Sequence, residues 1–537
     1  MGSKAHLNQV IASHLAEIKA DEDPDREIYI FEKGDLGEDV LTYQNIYKNS
    51  NKIARLFFDN DIGRGDTYAV FMRNHPEFVY ATLAGPTIGA IMVPVDPRTR
   101  GDRLKFLLKD CGAKAVIVSG EFLEQLEEVI SDVPSVKFIT VAYRPEQSIP
   151  VSEKYHALNE VLEKTSWDVV EQQIMDVRHP MQIIYTSGTT GDPKGVTIRN
   201  NRTGLFNILN KIVWKYQNDD ILYNGLSLTH GNAQTVTLFP AFSMGIKAVF
   251  SPRFTKSRIW DICRKYGCTS FSLLGGMMAG IYNEAEKSDD ADNPVRMVIS
   301  AGTPPSLWET FEKRFNVQIL EWYGSVEGGF AYKPVGQGPI GSFGKPVPGV
   351  MEMKVVDGDD NEMPVGGTGE LICRMLRGDT KVDYLGKPDE SREKTKGGWL
   401  RTGDMVHKDE KGWYFFDYRK GTELRRAGDF IQPDYVETVI GKHPDVSEVC
   451  IYGISAASGA PGESDLVAAI EPFEDRTIDP KSIFEMCKKD LESNYIPSYL
   501  QIVDQLPKTL TEKPLARQLK DIFERGEGTI YKLEDYN

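Results

Sequence analysis

Short apolar runs rich in β-branched residues alternate with amphipathic segments along the first four hundred residues of the chain. Thr67 to Met72 reads as a strand, Glu77 to Ala90 as a helix, and Ile91 to Val95 as the next strand. The helical segment Asp102 to Cys111 follows and ends at Gly112, where a left-handed cap is easily formed. This alternation is typical of parallel strands covered by helices. With 537 residues, the chain is also too long for one hydrophobic core.

The same alternation returns in the middle of the chain and then changes. It is repeated at Lys247 to Phe250, Lys256 to Tyr266, Thr269 to Leu274 and Val295 to Ser300. After about residue 418 the pattern becomes short strands around one helix, Pro480 to Ser493. We therefore expect an α/β protein with a large N-terminal domain of parallel or mixed sheets over residues 1–418. A small mobile α+β domain is expected over residues 423–537, with a hinge near 419–422.

Charge and cysteine content limit the partners of the chain. A net charge of −16 argues against a nucleic-acid surface, which would need clustered Lys and Arg. The six cysteines lie far apart with no C-x-x-C pair, so we interpret them as reduced core thiols. No run approaches the ~18 apolar residues of a membrane span, and the N-terminus does not read as a signal peptide. A cytoplasmic location is the default expectation.

The segment Tyr185 to Gly195, YTSGTTGDPKG, has the composition of a phosphate-binding loop. Its glycines let the backbone approach an anion closely, its hydroxyl groups donate hydrogen bonds, and Lys194 adds a positive charge. The spacing Gly188-x-x-Gly191-x-x-Lys194 matches neither the P-loop of nucleoside triphosphatases nor the dinucleotide-binding fingerprint. Eleven consecutive residues of this kind rarely serve turn-making alone, so we expect another class of phosphate site.

This segment resembles the signature of the acyl-adenylate-forming superfamily, which includes acyl-CoA synthetases, luciferases and the adenylation domains of peptide synthetases. Further segments match that family in its order along the chain: LTY at Leu41 to Tyr43, AGT at Ala301 to Thr303, EWYGSVEGG at Glu321 to Gly329, GELICR at Gly369 to Arg374, GWLRTGD at Gly398 to Asp404, and LPKTLTEKPLAR at Leu506 to Arg517. The resemblance covers nearly the whole chain. It implies an acid–thiol ligase that uses ATP and Mg²⁺ to form an acyl-AMP and then an acyl-CoA thioester, with release of AMP and pyrophosphate.

The resemblance also implies roles for particular residues in nucleotide binding. Lys513 is expected to stabilise the charge that develops at the α-phosphate, Glu327 to hold Mg²⁺, and Thr186 to assist them in catalysis. Tyr323 is expected against the adenine and Asp404 on the ribose hydroxyls. The complete ATP- and AMP-binding set is Thr186, Ser187, Gly188, Thr189, Thr190, Lys194, Ala301, Gly302, Thr303, Glu321, Trp322, Tyr323, Gly324, Ser325, Asp404 and Arg419.

Two further sets are implied for the acid and for coenzyme A. The acid pocket is expected to include His230, Gly231, Gly276 and Gly302. The coenzyme A tunnel is expected to include Arg426, Ala427 and Gly428. The small and polar residues around Gly231 favour a compact acid, short or aromatic and with space for a second polar group, over a long lipid.

The chain departs from the family's pattern at three positions. Val326 stands where the family usually has Thr before the metal-binding Glu, so one hydroxyl contact to the α-phosphate is missing. Thr422, preceded by Gly421, stands at the hinge position that is normally Asp, which predicts a looser pivot. Glu512 precedes Lys513 where the family usually has Gly.

Two rival interpretations remain open at this stage. A regulatory protein that binds ATP without acyl transfer would share the phosphate loop. An adenylating enzyme that loads a separate carrier protein, or an oxidative luciferase-like enzyme, would share all the motifs. The chain ends about twenty residues after Lys513, which leaves no room there for a fused carrier domain, so we favour coenzyme A as the acceptor. A carboxylic acid, ATP and coenzyme A are then the expected partners.

Overall fold

A computed structural model of the chain describes residues 7–144, 154–164, 167–186, 193–420, 424–426, 429–431, 433–456, 464–491, 495–509 and 514–536. Its strands are β1 Glu27–Glu32, β2 Glu38–Thr42, β3 Thr67–Phe71, β4 Ile91–Val95, β5 Ala115–Ser119, β6 Phe138–Ala142, β7 His156–Ala157, β8 Pro180–Thr186, β9 Lys194–Arg199, β10 Ile221–Asn224, β11 Lys247–Phe250, β12 Ser270–Leu274, β13 Met297–Ala301, β14 Gln318–Tyr323, β15 Ala331–Lys333, β16 Ser342–Pro346, β17 Met351–Val356, β18 Gly369–Met375, β19 Leu400–Lys408, β20 Tyr414–Arg419, β21 Leu424–Arg426, β22 Asp429–Ile431, β23 Val446–Ser455, β24 Ser464–Pro472, β25 Tyr499–Ile502 and β26 Thr529–Lys532.

The α-helices are α1 Ala12–Glu22, α2 Tyr43–Phe58, α3 Pro76–Ile88, α4 Gly101–Asp110, α5 Leu123–Ile130, α6 Leu158–Glu163, α7 Asn201–Leu209, α8 Phe239–Met244, α9 Ile259–Tyr266, α10 Gly275–Tyr282, α11 Trp308–Phe315, α12 Pro388–Lys394, α13 Pro433–Ile440, α14 Pro480–Asp490 and α15 Ala516–Glu524. Two π-helical segments, Asn210–Trp214 and Ala233–Leu238, continue α7 and precede α8. Most of the strand and helix positions predicted from the apolar runs lie within two or three residues of these bounds.

The first sheet has seven strands in the order β7-β6-β5-β3-β4-β8-β9. The strands from β7 to β8 are parallel, and β9 folds back antiparallel on β8. The central strands β3 and β5 are buried along their whole length, as expected for parallel strands with both faces covered. The hairpin β8–β9 therefore lies at the edge of this sheet, and its strands contain Tyr185, Thr186 and Lys194 of the phosphate-loop sequence.

The second sheet has thirteen strands in the order β17-β18-β19-β20-β16-β15-β14-β13-β12-β10-β11-β1-β2. The strands β14, β13, β12, β10, β11 and β1 are parallel, whereas β15 to β20 pair antiparallel. The predicted α/β class with mixed sheets is confirmed. The parallel pattern expected over the first four hundred residues is wrong beyond β14, where hairpin connections replace helical crossovers.

Helix α11 illustrates how the sequence pattern determines the packing. Trp308, Phe311 and Phe315 recur at helical spacing and are all buried on one face. Phe315 stacks on Trp260 of α9, with ring centroids 4.4 Å apart. These aromatic residues therefore form core contacts, as their spacing predicts.

The C-terminal part of the chain has its own sheet and its own core. The sheet order is β23-β24-β25-β26, with β25 parallel to β24 and the outer pairs antiparallel. Val436, Phe484 and Leu500 are fully buried in an apolar cluster separate from that of the large sheets. The prediction of one helix here is wrong, because α13, α14 and α15 all pack in this part.

Two further observations concern the environment of the protein. Of the helices in the described ranges, none is both long enough and apolar enough to cross a membrane. All six cysteines are buried and free, as predicted for core thiols.

Candidate active site

Four neighbouring parallel strands of the thirteen-stranded sheet, β14, β13, β12 and β10, end at the same edge. The segments that follow them are residues 324–327, 302–303, 275–276 and 227–232. Each of these segments contains residues that the sequence assigns to the site. Ligands of open α/β sheets bind at the carboxyl ends of the strands, so the fold gathers these segments where a substrate would lie.

Asp404 is held between an aromatic and a basic side chain. The phenol of Tyr323, at the end of β14, donates a 2.5 Å hydrogen bond to Asp404 Oδ2. The guanidinium of Arg419, paired with Asp404 across β19 and β20, donates to Oδ1 at 3.1 Å. Burial and the neighbouring carboxylate of Asp404 raise the pKa of Tyr323 well above its usual range, so this phenol remains a donor. The structure thus brings together three residues of the predicted nucleotide set.

Glu321 fixes the turn that follows β13. Its carboxylate accepts from the backbone N–H of Gly302 at 2.6 Å and from the hydroxyl of Thr303 at 2.5 Å. Gly302 has a φ of +83°, which favours glycine at this position. Burial raises the pKa of Glu321 to about 7, although the hydrogen bonds from the turn oppose this shift. The side chain of Glu321 therefore positions the turn Ala301 to Thr303.

The indole of Trp322 belongs to the core. Its ring packs against Trp214 at 5.1 Å and against Phe330 at 6.4 Å between centroids, and the residue is buried. This overturns a nucleotide contact through the Trp322 side chain, because strand alternation directs it away from Tyr323. Any contact of residue 322 with the nucleotide would be made by its backbone.

The turn after β14 is closed by its own hydrogen bonds. The hydroxyl of Ser325 donates to the carbonyl of Gly328 at 3.0 Å, and the amide of Gly328 donates to the carbonyl of Ser325 at 3.1 Å. A Cβ on Gly324 would lie 2.9 Å from the Trp322 ring, which explains the glycine there. The Ser325 hydroxyl thus donates inside the turn, next to Val326, and compensation by Ser325 for the absent threonine hydroxyl remains a prediction.

Glu327 is linked to residues that sequence reasoning missed. The phenol of Tyr384 donates to Glu327 Oε1 at 3.1 Å, and burial together with this carboxylate raises the pKa of Tyr384. Lys394, at the end of α12, is largely buried, and burial lowers its pKa while the charge of Glu327 opposes the shift. Both residues lie between the GELICR and GWLRTGD segments. Nothing in their local sequence predicts contact with a residue more than fifty positions earlier.

The chemistry of Glu327 fits a magnesium ion that also contacts phosphates. In the described part of the chain its second oxygen, Oε2, accepts no hydrogen bond, and no group of three or more His, Cys, Asp or Glu could hold a metal unaided. Mg²⁺ in nucleotide enzymes commonly uses one or two carboxylates and takes its other ligands from phosphates and water. A single partly buried carboxylate with one available oxygen suits that arrangement.

The hairpin β8–β9 closes at Thr186 and Lys194, which are paired residues. The hydroxyl of Thr186 donates to the Lys194 carbonyl at 3.4 Å. The ammonium of Lys194 pairs with Glu390 at 2.6 Å and lies 5.4 Å from the centre of the Tyr384 ring. Lys194 and Glu327 therefore share Tyr384 as a neighbour. The predicted phosphate-binding residues Ser187, Gly188, Thr189 and Thr190 lie outside the described residues.

The segment 227–232, here called the pocket segment, follows β10. Asn74 anchors it, since the backbone N–H of Leu228 donates to Asn74 Oδ1 at 2.7 Å. Nδ1 of His230 accepts from the backbone N–H of Asn232 at 3.1 Å, which places the proton of the neutral ring on Nε2. The structure thus fixes the orientation of the His230 ring within the segment.

The three predicted pocket glycines lie on neighbouring segments. A Cβ on Gly231 would be 3.6 Å from Cγ2 of Val326, so the pocket segment contacts the turn that carries Glu327. Gly276 lies in the first turn of α10, directly after β12, and Gly302 follows the adjacent strand β13. The structure therefore brings the predicted acid-binding residues close to the predicted metal ligand.

Two predicted functional regions belong to the C-terminal part. The guanidinium of Arg426 donates to the carbonyl of Ile496, and burial lowers the pKa of Arg426. In this arrangement Arg426 supports its own domain. Ala427 and Gly428 lie outside the described residues, so their predicted contact with coenzyme A remains a prediction.

The segment that leads to Lys513 contacts the large domain. Nη1 of Arg98, just after β4, donates to the carbonyl of Thr509 at 3.3 Å. Lys508 and Pro514 form a β-bridge, and Lys513, which precedes Pro514 in the sequence, lies outside the described residues. Strand β4 is the parallel neighbour of β8. Arg98, just after β4, and Thr186, at the end of β8, therefore lie at the carboxyl ends of adjacent strands of the seven-stranded sheet.

Comparison with known families agrees with this geometry. The family described as AMP-binding enzyme matches residues 16–377, and the family described as AMP-binding enzyme C-terminal domain matches residues 435–513. Because the first match spans more than half of the chain, the protein belongs to the AMP-binding enzyme family.

Similar proteins are known from sequence and from structure. The crotonobetaine/carnitine–CoA ligase of Salmonella typhimurium (strain LT2) is 25% identical over 502 residues, which cover 92% of this chain and 96% of the relative. The anthranilate CoA ligase AuaEII in complex with anthranoyl-AMP has a TM-score of 0.83 at 21% identity, covering 96% of this chain and 98% of that one. The O-succinylbenzoate coenzyme A synthetase MenE from Bacillus subtilis, in complex with ATP and a magnesium ion, has a TM-score of 0.77 at 21% identity, with coverages of 94% and 99%. These likenesses confirm the predicted fold.

Proposed function

We propose that this enzyme is an AMP-forming carboxylate–CoA ligase that acts on a compact acid through an acyl-AMP intermediate. The observation that carries the proposal is the contact of Arg98 with Thr509. It brings the segment that leads to Lys513 to the carboxyl end of β4, the neighbour of strand β8, which ends at Thr186. The family and the CoA ligases among the similar proteins support the same activity.

The first half-reaction overcomes the poor leaving group of a carboxylate. One carboxylate oxygen attacks the α-phosphorus of ATP, the bond from that phosphorus to the bridging oxygen breaks, and pyrophosphate leaves. The acyl group is then bonded to AMP, which leaves far more readily than oxide. Charge that accumulates on the phosphate oxygens must be stabilised by nearby donors.

Residues of this chain can be assigned to each part of ATP. We assign the ribose to Asp404, with its orientation fixed by Tyr323 and Arg419. Lys194 would exchange its partner Glu390 for phosphate oxygens. The donors at the tip of the hairpin and Lys513 complete the phosphate site, and Tyr323 provides a surface for the adenine.

Glu327 would hold the magnesium ion, which when bound neutralises phosphate charge. Tyr384 orients the carboxylate of Glu327 through its hydrogen bond. The cation of Lys394, largely buried nearby, offsets part of the negative charge of Glu327 in the free enzyme. These residues therefore prepare the carboxylate before the nucleotide binds.

The second half-reaction requires the acceptor to reach the acyl carbon. The small domain rotates about residues 419–422 and carries Lys513 away, and the segment Arg426 to Gly428 then lines the path of coenzyme A. The thiol loses its proton to water, its sulfur attacks the acyl carbon, and AMP leaves. The acyl-CoA thioester is the product.

A panel of carboxylic acids with ATP, Mg²⁺ and free coenzyme A tests this proposal. Pyrophosphate release that depends on the acid, together with a thioester of the same acid, is the expected result. Hydrolysis of ATP without any acid would favour a regulatory ATP-binding protein. Release of pyrophosphate with an acyl group that is transferred only to a carrier protein would favour a carrier-loading enzyme, and oxidation with light emission would favour a luciferase-like one.

A further inference from the structure

Arg202 lies in the first turn of α7, close after the hairpin strand β9. Its Nη2 group donates to the carbonyl of Val326 at 2.9 Å and to that of Ser325 at 3.5 Å. Its guanidinium lies 5.5 Å from the centre of the Phe330 ring. These contacts hold Arg202 against the turn that carries Glu327.

The guanidinium of Arg202 has more donors than partners. A guanidinium carries five N–H groups, whereas the two hydrogen bonds of Arg202 both use Nη2. Across the described ranges, no carboxylate lies within ion-pair distance of it. Burial lowers the pKa of Arg202 to about 10, although the charge of Glu327 opposes the shift. Arg202 is half-buried, and an anionic ligand here would give its remaining N–H groups a charged partner.

Arg202 also lies close to the predicted acid pocket. Its turn contacts the pocket segment through Val326, whose Cγ2 would be 3.6 Å from a Cβ on Gly231. Phe206 lies one helical turn after Arg202 on the same face of α7. Phe206 packs against Phe239, with ring centroids 5.6 Å apart. Phe239 is the first residue of α8, and the π-helical segment Ala233–Leu238 connects α8 to the pocket segment. The face of α7 that carries Arg202 therefore packs on the helix that follows the pocket segment in the chain.

The nucleotide side of Glu327 already has other cations. Lys194 lies over the ring of Tyr384, which is hydrogen-bonded to Glu327. Lys394 is influenced by the charge of Glu327 as well. These amines stand among the groups assigned to the phosphates. Arg202 instead contacts the carbonyls of Ser325 and Val326 and the ring of Phe330, on the turn that meets the pocket segment at Gly231, and we assign it to a group on the acid.

We propose that Arg202 is a specificity-determining residue that binds a second anionic group on the acid, so that the preferred substrate is a compact dicarboxylic acid. The inference rests on the proposed ligase function. The planar guanidinium can donate two parallel hydrogen bonds to a carboxylate, which makes recognition directional as well as electrostatic. An acid with a cationic substituent would bring two positive charges together at this position and would bind poorly.

The experiment compares acids of equal length that differ in charge. Pyrophosphate release is measured with succinate, butyrate and 3-(trimethylammonio)propanoate, and with terephthalate and 4-methylbenzoate. The enzymes are the wild type, Arg202→Met, Arg202→Lys and the control Lys211→Met. Lys211 is an exposed residue of the π-helical segment that continues α7, so this control removes one positive charge without touching the pocket.

We expect the wild type and Lys211→Met to prefer the dicarboxylic acid of each pair and to reject the trimethylammonium acid. Arg202→Met should lower kcat/KM for the dicarboxylic acids by about 10- to 100-fold, the range for losing a hydrogen bond between charged groups, and should leave the monocarboxylic acids within about threefold. Arg202→Lys should retain part of the preference, which serves as the readout if Arg202→Met melts at a lower temperature.

Four results would overturn the inference. A wild type that prefers the monocarboxylic or the cationic acids has no anion-binding group in its pocket. An equal loss for every acid, with a raised KM for ATP, would place Arg202 on the phosphates. Pyrophosphate release without any preference would refute the substrate class and leave the ligase function standing, whereas no release with any acid of the panel would refute both.

Discussion

The phenol of Tyr323 and the guanidinium of Arg419 each donate to a different oxygen of Asp404, at 2.5 Å and 3.1 Å. A carboxylate offers about four acceptor positions, so two positions are left after these bonds. Two ribose hydroxyls have the matching number of donors. The two donors thus orient Asp404, and the remaining acceptor positions suit the ribose diol that we assign to it.

Asp404→Asn is expected to raise the KM for ATP by about 10- to 100-fold, because it converts charge-assisted hydrogen bonds into neutral ones and removes the ion pair with Arg419. The KM for coenzyme A should stay within about twofold. Steady-state kinetics with each substrate varied in turn measure both values. Asp417→Asn is the control, since Asp417 lies on β20 but pairs with His407. An unchanged KM for ATP would reduce Asp404 to a structural residue.

Glu327→Gln is expected to impair acyl-AMP formation most at limiting Mg²⁺, because the amide removes a negative ligand from the metal site. Excess Mg²⁺ should restore part of the rate. Titration of Mg²⁺ at fixed ATP, with pyrophosphate release as the signal, gives the comparison. Tyr384→Phe should shift the Mg²⁺ requirement less, since it removes only the orienting hydrogen bond. Equal Mg²⁺ dependence in wild type and Glu327→Gln would remove Glu327 from the site.

Glu321 makes stability depend on pH in a defined direction. Below its ordinary pKa of 4.5 the side chain is protonated in both states, and its contribution to stability is fully present. As pH rises toward the raised value of about 7, the unfolded chain ionises first, so the folded state loses up to about 1.4 kcal/mol per pH unit.

The variant Glu321→Gln removes that titration. Urea unfolding at pH 5 and at pH 7 should therefore show a smaller loss of stability for the variant than for the wild type. The pKa of Glu437, raised to about 8 by burial, contributes equally to both proteins and cancels in the comparison. If the free energy of unfolding changed with pH by the same amount in both proteins, the pKa of Glu321 would not be raised in the folded protein.

Arg98→Ala is expected to slow acyl-AMP formation several-fold, because it removes the hydrogen bond that holds the Lys513 segment on the large domain. Thioester formation from supplied acyl-AMP should not slow, since in the proposed mechanism the small domain leaves this position for that step. Rapid-quench measurements of each half-reaction test the difference. Arg100→Ala is the control, because Arg100 is exposed two residues away. Equal slowing of both steps by Arg98→Ala would contradict a role in positioning the segment.

The order of helices and strands could be predicted from the sequence because apolar residues recur at a different spacing in each. The strand Ile91–Val95 has the bounds predicted for it, and the helix predicted from Asp102 lies at Gly101–Asp110. Apolar runs of this kind fix the local structure by burial alone. The antiparallel pairing of β15 to β20 could not be read in the same way, since a short apolar run does not record the direction of its neighbour.

The sequence predicts the site residues that belong to a recognisable motif. It does not predict contacts between residues that are far apart in the sequence. Glu321 and Trp322 were grouped with Tyr323, yet strand alternation places Trp322 in the core and turns Glu321 toward Gly302. That signal was available in the sequence. Tyr384 and Arg202 reach the turn at Glu327 from distant positions, and only the folded chain shows those contacts.

The two half-reactions of Lys513→Ala test the central claim most directly, namely that one chain makes an acyl-AMP and then a thioester in two domain arrangements. With ATP and acid, loss of this positive donor should slow acyl-AMP formation by a factor on the order of 10²–10³, by analogy with the loss of one preorganised donor. With acyl-AMP supplied, the variant should form thioester at close to the wild-type rate. Equal slowing of both half-reactions in a variant that melts like the wild type, or no slowing of either, would contradict the two-step account.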